Sequence, residues 1–255
     1  MKIIVLMKQV ANKDAILRIN KEATWIEEGD LSWEVNESDG YALEESLRLK
    51  EKHGGEVVVC TMGPQRAKAV VKDALARGAD RAIHVVADDT AGMGPLRAAQ
   101  ILAEAVRGEQ PDLIMTGLQS DDNGYAQTGV ILAELLGLPH ATIVIEVDAS
   151  GEQLRVKREL ESGWYQWYAM PRPALLTIQS GISQIRYATL KGIMAAKKKE
   201  IREVQPAAAE GQPQQRVTKI YFPEKTKQTQ FLGDGDARRG AAVLAEKLRS
   251  EARVI

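Results

Sequence analysis

Glu56-Val57-Val58-Val59-Cys60-Thr61-Met62-Gly63-Pro64-Gln65-Arg66-Ala67 opens a stretch that continues through a helical segment to Arg81-Ala82-Ile83-His84-Val85-Val86. It reads as strand, tight Gly-Pro turn, helix over 65–77 and second strand. Both strands are rich in Val and Ile and almost continuously apolar. Strands of a parallel sheet covered on both faces read this way. Working outward, further strand-length apolar runs lie at 2–7, 112–117 and 141–147, with helical periodicity at 39–52, 94–107 and 127–136. Over 39–52, Tyr41, Ala42, Leu43, Leu47 and Leu49 fall mostly on one side, and Glu44, Glu45, Arg48 and Glu51 are expected to face water. Alternation of strands and helices with right-handed crossovers gives a doubly wound, mostly parallel α/β sheet of Rossmann-like kind.

Past residue 150 the pattern changes. Residues 151–158 and 164–178 look like antiparallel additions, with Pro171 and Pro173 confining part of the second to a sheet edge. A basic run, Lys197-Lys198-Lys199, follows. Low-complexity sequence at 205–216 reads as a linker. Residues 217–222 read as one more strand and 236–252 as an amphipathic helix whose apolar face holds Ala242, Leu244, Ala245 and Leu248. The organisation expected is an α/β domain over 1–204, the linker, and a C-terminal arm over 217–255 that docks on a partner.

Composition narrows the function. Of the 255 residues, 44% are apolar and 27% charged, as in ordinary folded domains. A net charge of −1 offers no general attraction for nucleic acid or an anionic membrane. No apolar run is long enough to span a bilayer, and the first residues read as a strand instead of a signal peptide. These readings predict cytoplasmic or matrix-like localisation. A single cysteine, Cys60, excludes an internal disulfide, and the three histidines, His53, His84 and His140, lack neighbours at metal-ligand spacing. No nucleophile elbow or phosphate-gripping P-loop occurs. A binding or carrier protein is therefore favoured over a hydrolase.

In an open parallel sheet, ligands bind beyond the carboxyl ends of the strands where strand order reverses. With the usual order that point lies between the first and fourth strands. After the fourth strand comes Thr116-Gly117-Leu118-Gln119-Ser120-Asp121-Asp122-Asn123-Gly124-Tyr125-Ala126-Gln127-Thr128-Gly129. This loop runs into a helix whose first N–H groups suit a phosphate. Asp121 and Asp122 would repel that phosphate, and are expected to hold a ribose hydroxyl or cap a turn. After the first strand, Lys8 either reaches an anion or is solvated. In Val35-Asn36-Glu37-Ser38-Asp39, Ser38 or Asp39 is expected to cap the next helix.

Three stretches carry a family resemblance. Asn36 through Glu51, with Ala42-Leu43-Glu44-Glu45-Ser46-Leu47-Arg48-Leu49-Lys50-Glu51, resembles the N-P-[FY]-[DC]…A-x-E-E-A-x-R-L-K-E segment of electron-transferring flavoprotein β subunits. The loop ending Gln127-Thr128-Gly129 is similar to that family's D-D-x-x-x-Q-T-G. Most specific is Arg186-Tyr187-Ala188-Thr189-Leu190-Lys191-Gly192-Ile193-Met194-Ala195-Ala196-Lys197-Lys198-Lys199, which resembles R-Y-A-T-L-x-x-I-M-x-A-K-K-K.

The resemblance implies a fold related to the adenine-nucleotide α-hydrolases. It implies a structural AMP bound by Leu6, Asn36, Glu37, Ser38, Asp39, Met62 and the run Asp122, Asn123, Gly124, Tyr125, Ala126, Gln127, Thr128, Gly129, Val130, Ile131, Leu132 and Ala133. It implies a redox FAD held mainly by a partner α subunit, with this chain covering one edge of the flavin. It implies a recognition loop over 181–200 in which Tyr187, Ala188, Thr189, Leu190, Ile193 and Met194 meet acyl-CoA-type flavin dehydrogenases, Leu190 inserting into a pocket there. Electrons would then pass to a membrane quinone oxidoreductase. Two alternatives stay open: a bifurcating form with a second FAD in place of AMP that oxidises NADH, and an ATP-cleaving enzyme of the related fold. This chain departs from the family pattern at Asn36-Glu37-Ser38-Asp39, which lacks the proline and aromatic. It also departs at Lys13, where a tyrosine is frequent, and at Trp164-Tyr165-Gln166-Trp167-Tyr168. The aromatic run reads either as a strand packing on core and partner or as a dedicated protein surface.

Overall fold

A computed structural model describes residues 1–88, 90, 92–206, 215–224 and 226–255. They form two compact units, 1–220 and 221–255. The larger unit is built on a sheet with strands β1 (Lys2–Leu6), β4 (Glu56–Gly63), β5 (Arg81–Val86), β6 (Leu113–Gly117), β7 (His140–Asp148), β8 (Leu154–Glu159), β9 (Tyr165–Met170), β10 (Ala174–Ile178) and β11 (Ile201–Val204). A separate two-stranded ribbon pairs β2 (Gln9–Ala11) with β3 (Trp33–Val35). The helices are α1 (Glu37–His53), α2 (Lys68–Arg77), α3 (Pro95–Arg107), α4 (Thr128–Leu136) and α5 (Leu190–Ala196).

Strand order is β11-β5-β4-β1-β6-β10-β7-β8-β9. Neighbours from β11 to β7 are parallel, and β8 and β9 add antiparallel. The alternation of side chains along each strand divides the core in two. Ile3, Val5 and Met7 pack with Leu43, Leu47, Val71 and Leu75 of α1 and α2. Ile4 and Leu6 pack with Ile101, Leu102, Val106 and Leu132 of α3 and α4. Each such buried side chain contributes about 1.5–3 kcal/mol relative to exposure. The chain leaves β1 toward β4 and returns to its other side at β6, so the reversal falls between β1 and β6, as the sequence predicts.

Three local expectations change. Residues 174–178 are not antiparallel edge material: β10 lies between β6 and β7, parallel to both and buried throughout. Pro171 and Pro173 precede the strand and take no place in its ladder, so they impose no edge. Glu44, expected to face water, is buried beneath Arg186. Residues 217–222 form no strand; the Ile220 N–H donates to the Ala23 carbonyl at 2.7 Å. Most of the linker, 207–214, lies outside the described residues.

The aromatic run forms the outer edge strand. Trp164 is 72% exposed, and none of Tyr165, Trp167 or Tyr168 packs into the core. Lys157 stands over Tyr165 at 4.6 Å and Arg155 over Trp167 at 5.2 Å. These cation–π contacts brace the rings from the neighbouring strand.

In the smaller unit, α6 (Ala237–Lys247) is capped by the Asp236 carboxylate, which accepts the Arg238 and Arg239 N–H groups at 2.8 and 3.1 Å. None of its residues is buried. Among the described residues no helix is long and apolar enough to cross a membrane.

Candidate functional site

The carboxyl ends of β1 and β6 are tied together by one side chain. Asp39 sits in the first turn of α1 and is 6% exposed. Its carboxylate accepts the Lys8 N–H and the Gly117 N–H, each at 2.8 Å. Burial pushes its acid up to about 7, against those two donors, which favour the charged form. Gly117 allows the approach: a Cβ there would stand 2.1 Å from Ser38 Oγ and 2.5 Å from Asp39 Oδ1.

The helix cap differs from the expected one. Asn36 is the N-cap of α1, without a side-chain cap bond of its own. The donor is satisfied from the loop after β6: the Glu37 N–H donates to the Asp121 carboxylate at 3.1 Å. Asn36 and Ser38 instead fasten that loop. The Asn36 amide donates to the Gln119 carbonyl at 2.9 Å and accepts the Asp121 N–H at 2.9 Å. The Ser38 hydroxyl donates to the same carbonyl at 2.7 Å. Asp121 thus caps a helix from another part of the chain, and Asp122 pairs with Lys8 Nζ at 2.6 Å.

The loop turns twice through left-handed backbone, at Gly124 (φ 61°) and Ala126 (φ 53°), before α4 begins. No side chain caps α4, so its first-turn N–H groups are available to an acceptor outside the helix. Gly129 seats this end against the sheet: a Cβ there would lie 2.8 Å from Thr177 Cγ2 and 2.9 Å from Thr116 Oγ1.

An open cavity lies over this junction. Of the residues singled out from the sequence, Leu6, Asn36, Asp39, Met62, Asp122, Asn123, Tyr125, Ala126, Gln127, Thr128 and Gly129 line it. Glu37, Ser38 and Gly124 are not among the lining residues. Neither are Val130, Ile131, Leu132 and Ala133, which continue α4, the last two buried in the core. A second wall is formed by residues that no sequence motif marks. Trp25, Glu28, Trp33 and Arg66 line the cavity. The Arg66 guanidinium stacks on Trp33 at 3.6 Å and donates to Glu28 at 2.5 Å, and the Trp25 indole donates to Glu28 at 2.9 Å. Two tryptophans in an otherwise polar stretch, and an arginine just past a strand-ending Gly-Pro turn, were the available signals. Cys60 also reaches the cavity, but burial pushes its thiol up to about 12, which keeps it protonated and a poor nucleophile. Among the described residues no group of His, Cys, Asp and Glu could hold a metal ion.

The 184–199 segment lies on the α1–α2 face and is clamped at both ends. Arg186 forks onto Glu44 with Nε to Oε2 at 2.9 Å and Nη2 to Oε1 at 3.0 Å, and also grips Glu51. At the other end Lys199 folds back to donate to the Leu75 and Ala79 carbonyls at the end of α2. Thr189 caps α5, accepting the Gly192 N–H at 3.0 Å. A Cβ on Gly192 would meet the Ala76 carbonyl at 2.2 Å, so the helix presses directly on α2. Tyr187 is 90% and Leu190 78% exposed; Thr189, Ile193 and Met194 are also exposed, and Ala188 is half-buried. Large apolar side chains grouped in water on a braced base mark an interaction site.

Comparison with known proteins gives the family. The model of the electron transfer flavoprotein domain matches residues 24–209. A protein from Methylophilus methylotrophus named electron transfer flavoprotein subunit beta is 36% identical over 245 residues, 91% of this chain and 93% of that relative. A mitochondrial subunit beta from Oryza sativa subsp. japonica is 34% identical over the whole of both chains. The subunit beta of Homo sapiens is 34% identical over 209 residues, 81% of this chain and 82% of its own. A family model matching most of the chain, with relatives at 34–36% identity over most or all of its length, shows that the chain belongs to the β-subunit family of the electron transfer flavoproteins.

Proposed function

We propose that this chain is the β subunit of a heterodimeric electron carrier. It holds a structural AMP, helps enclose an FAD seated mainly in the α subunit, and recognises acyl-CoA-type flavin dehydrogenases from which the electrons come. A membrane quinone oxidoreductase receives them, and the heterodimer works in a cytoplasm or a matrix-like compartment. The flavin supplies the redox chemistry, and the protein supplies binding and orientation.

The observation that carries this reading is the cavity beyond β1 and β6, floored by the uncapped start of α4. Its chemistry suits an adenine nucleotide. Free N–H groups at a helix start favour a phosphate. Leu6 and Met62 give apolar walls for a base, and Asn123 gives a polar group for a sugar. The exposed segment around Leu190 supports the dehydrogenase-recognition role, with Arg186 and Lys199 holding it ready. Residues 217–255, with α6 entirely unburied, suit an arm that lies on the α subunit.

Nucleotide extraction from the purified heterodimer tests the reading. One FAD and one AMP per heterodimer is the expected result. Two FADs and no AMP would replace it with the bifurcating form, and no adenine nucleotide in this chain would remove its foundation.

A further inference from the structure

The nucleotide reading leaves open which side chain meets the ligand's negative charge, and the geometry points to Lys8, with Asp122 as the anion it releases. This rests on the proposed nucleotide site. Two cations line the cavity among the described residues, Lys8 and Arg66. Arg66 is committed elsewhere: its guanidinium stacks on Trp33, donates to Glu28 at 2.5 Å and donates to Gln9 at 3.2 Å. Lys8 is held differently. Its backbone N–H is fixed to the Asp39 carboxylate at 2.8 Å, so its position at the end of β1 is set. Its ammonium crosses to the opposite loop and meets Asp122 Oδ1 at 2.6 Å and Ser120 Oγ at 3.4 Å.

That ion pair suits exchange more than bracing. Its side chains are 39% and 28% exposed, and pairs this exposed add little to stability. Asp122 keeps a partner if Lys8 leaves, since Oδ1 also accepts the Asn123 N–H at 2.7 Å. A phosphate carries more charge than a carboxylate and offers more acceptor oxygens, so it competes well for one ammonium. The cavity also brings the α4 start, at Gln127, Thr128 and Gly129, within the same lining as Lys8. In the free protein the carboxylate therefore holds the ammonium where an anion will need it. On binding, Lys8 turns to the phosphate and screens it from Asp122.

The two halves of the pair then have opposite effects, which a structural clasp would not produce. Calorimetric titration of the full chain, dialysed free of nucleotide, compares AMP with adenosine, which lacks the charge. The unmodified protein should favour AMP. Lys8→Gln should weaken AMP about tenfold or more and leave adenosine unchanged. Asp122→Asn removes both the competitor and a repelling charge, so it should tighten AMP about threefold or more, again without effect on adenosine. If Asp122→Asn weakens AMP, the pair is a brace and the inference is overturned, and this variant decides alone should Lys8→Gln misfold. Equal losses of AMP and adenosine in Lys8→Gln also overturn it. If the unmodified protein binds AMP no better than adenosine, the Lys8 role falls and the nucleotide site stands. If it binds neither, both fall together.

Discussion

Replacing Arg186 with methionine keeps most of the aliphatic bulk and removes the fork that holds the exposed segment to α1. Glu44 is 3% exposed and would lose two charge-assisted hydrogen bonds, keeping Arg48 Nε at 2.9 Å and the residue-186 N–H at 3.1 Å. Breaking a fully buried ion pair costs about 3–5 kcal/mol. Arg186 is 31% exposed and Glu44 keeps a second cation, so a loss of about 2–3 kcal/mol follows for this contact. The exposed Glu51 arm adds less than about 1 kcal/mol. Urea unfolding read by circular dichroism should show the midpoint falling by about 1 M. The pH dependence has a definite sign. Burial raises the Glu44 acid, but Arg186 and Arg48 more than offset it and hold the group below its ordinary 4.5. A carboxylate depressed in the folded state adds stability above its ordinary value and loses it as pH falls through the folded value. The penalty in Arg186→Met should therefore be full near about pH 7 and shrink in acid. A double-mutant cycle with Glu44→Gln should give a coupling of about 1 kcal/mol or more. A loss under about 0.5 kcal/mol at neutral pH, or one as large in acid as at neutrality, would refute the account of Arg186 as the clamp.

Other expectations follow from single contacts. Leu190→Ala should leave thermal stability within about 0.5 kcal/mol, because the side chain is 78% exposed, while weakening dehydrogenase binding about tenfold or more by surface plasmon resonance. Gly117→Ala places a Cβ against Ser38 and Asp39, and should lower stability by about 1–3 kcal/mol in calorimetry. Asp39 works in the opposite sense to Glu44. Its acid is raised by burial to about 7, so its contribution is fully present below its ordinary 3.8 and is lost as pH rises through about 7. Asp39→Asn should flatten that part of the stability-against-pH curve; a slope unchanged by the substitution would assign it to another group.

Legibility followed local chemistry. β1, β4, β5, β6 and β7 were readable because each is an apolar run bounded by charge, glycine or proline, and both faces of the sheet demand such a run. β10 reads as edge material because an aromatic hairpin and two prolines precede it, although Ala174-Leu175-Leu176-Thr177-Ile178 has the composition of a central strand. β11 was missed because Ile201–Val204 is short, half charged and on an edge. The cap of α1 lay beyond local reading altogether, since Asp121 acts across 84 residues. Residues at the cavity were legible where they follow strand ends. The Trp25–Arg66 wall was not, because its members come from a long excursion and a short helical turn. Leu190 shows a further limit. A leucine at the start of a helix reads as buried, and only the family resemblance of its surroundings pointed outward.

Both halves of the proposed function run through α1. This helix has 17 residues and so is roughly 25 Å long. At its start, Asn36, Ser38 and Asp39 fix the loops that follow β1 and β6 and so shape the cavity. Further along, Glu44 and Glu51 hold Arg186 and with it the segment that exposes Leu190. Its inner side carries Leu43 and Leu47 into the core, so the helix cannot shift without disturbing the sheet. The sequence shows why one helix can serve all three: acids that would be solvated on an ordinary surface helix are used as acceptors at its start and along its outer side. A buried carboxylate is tolerated only with donors aimed at it. For Asp39 those donors are the ends of two strands, and for Glu44 they come from Arg186 and Arg48. The charge pattern of α1 therefore specifies where the cavity loops and the exposed segment attach, while its apolar pattern specifies only that it packs on the sheet.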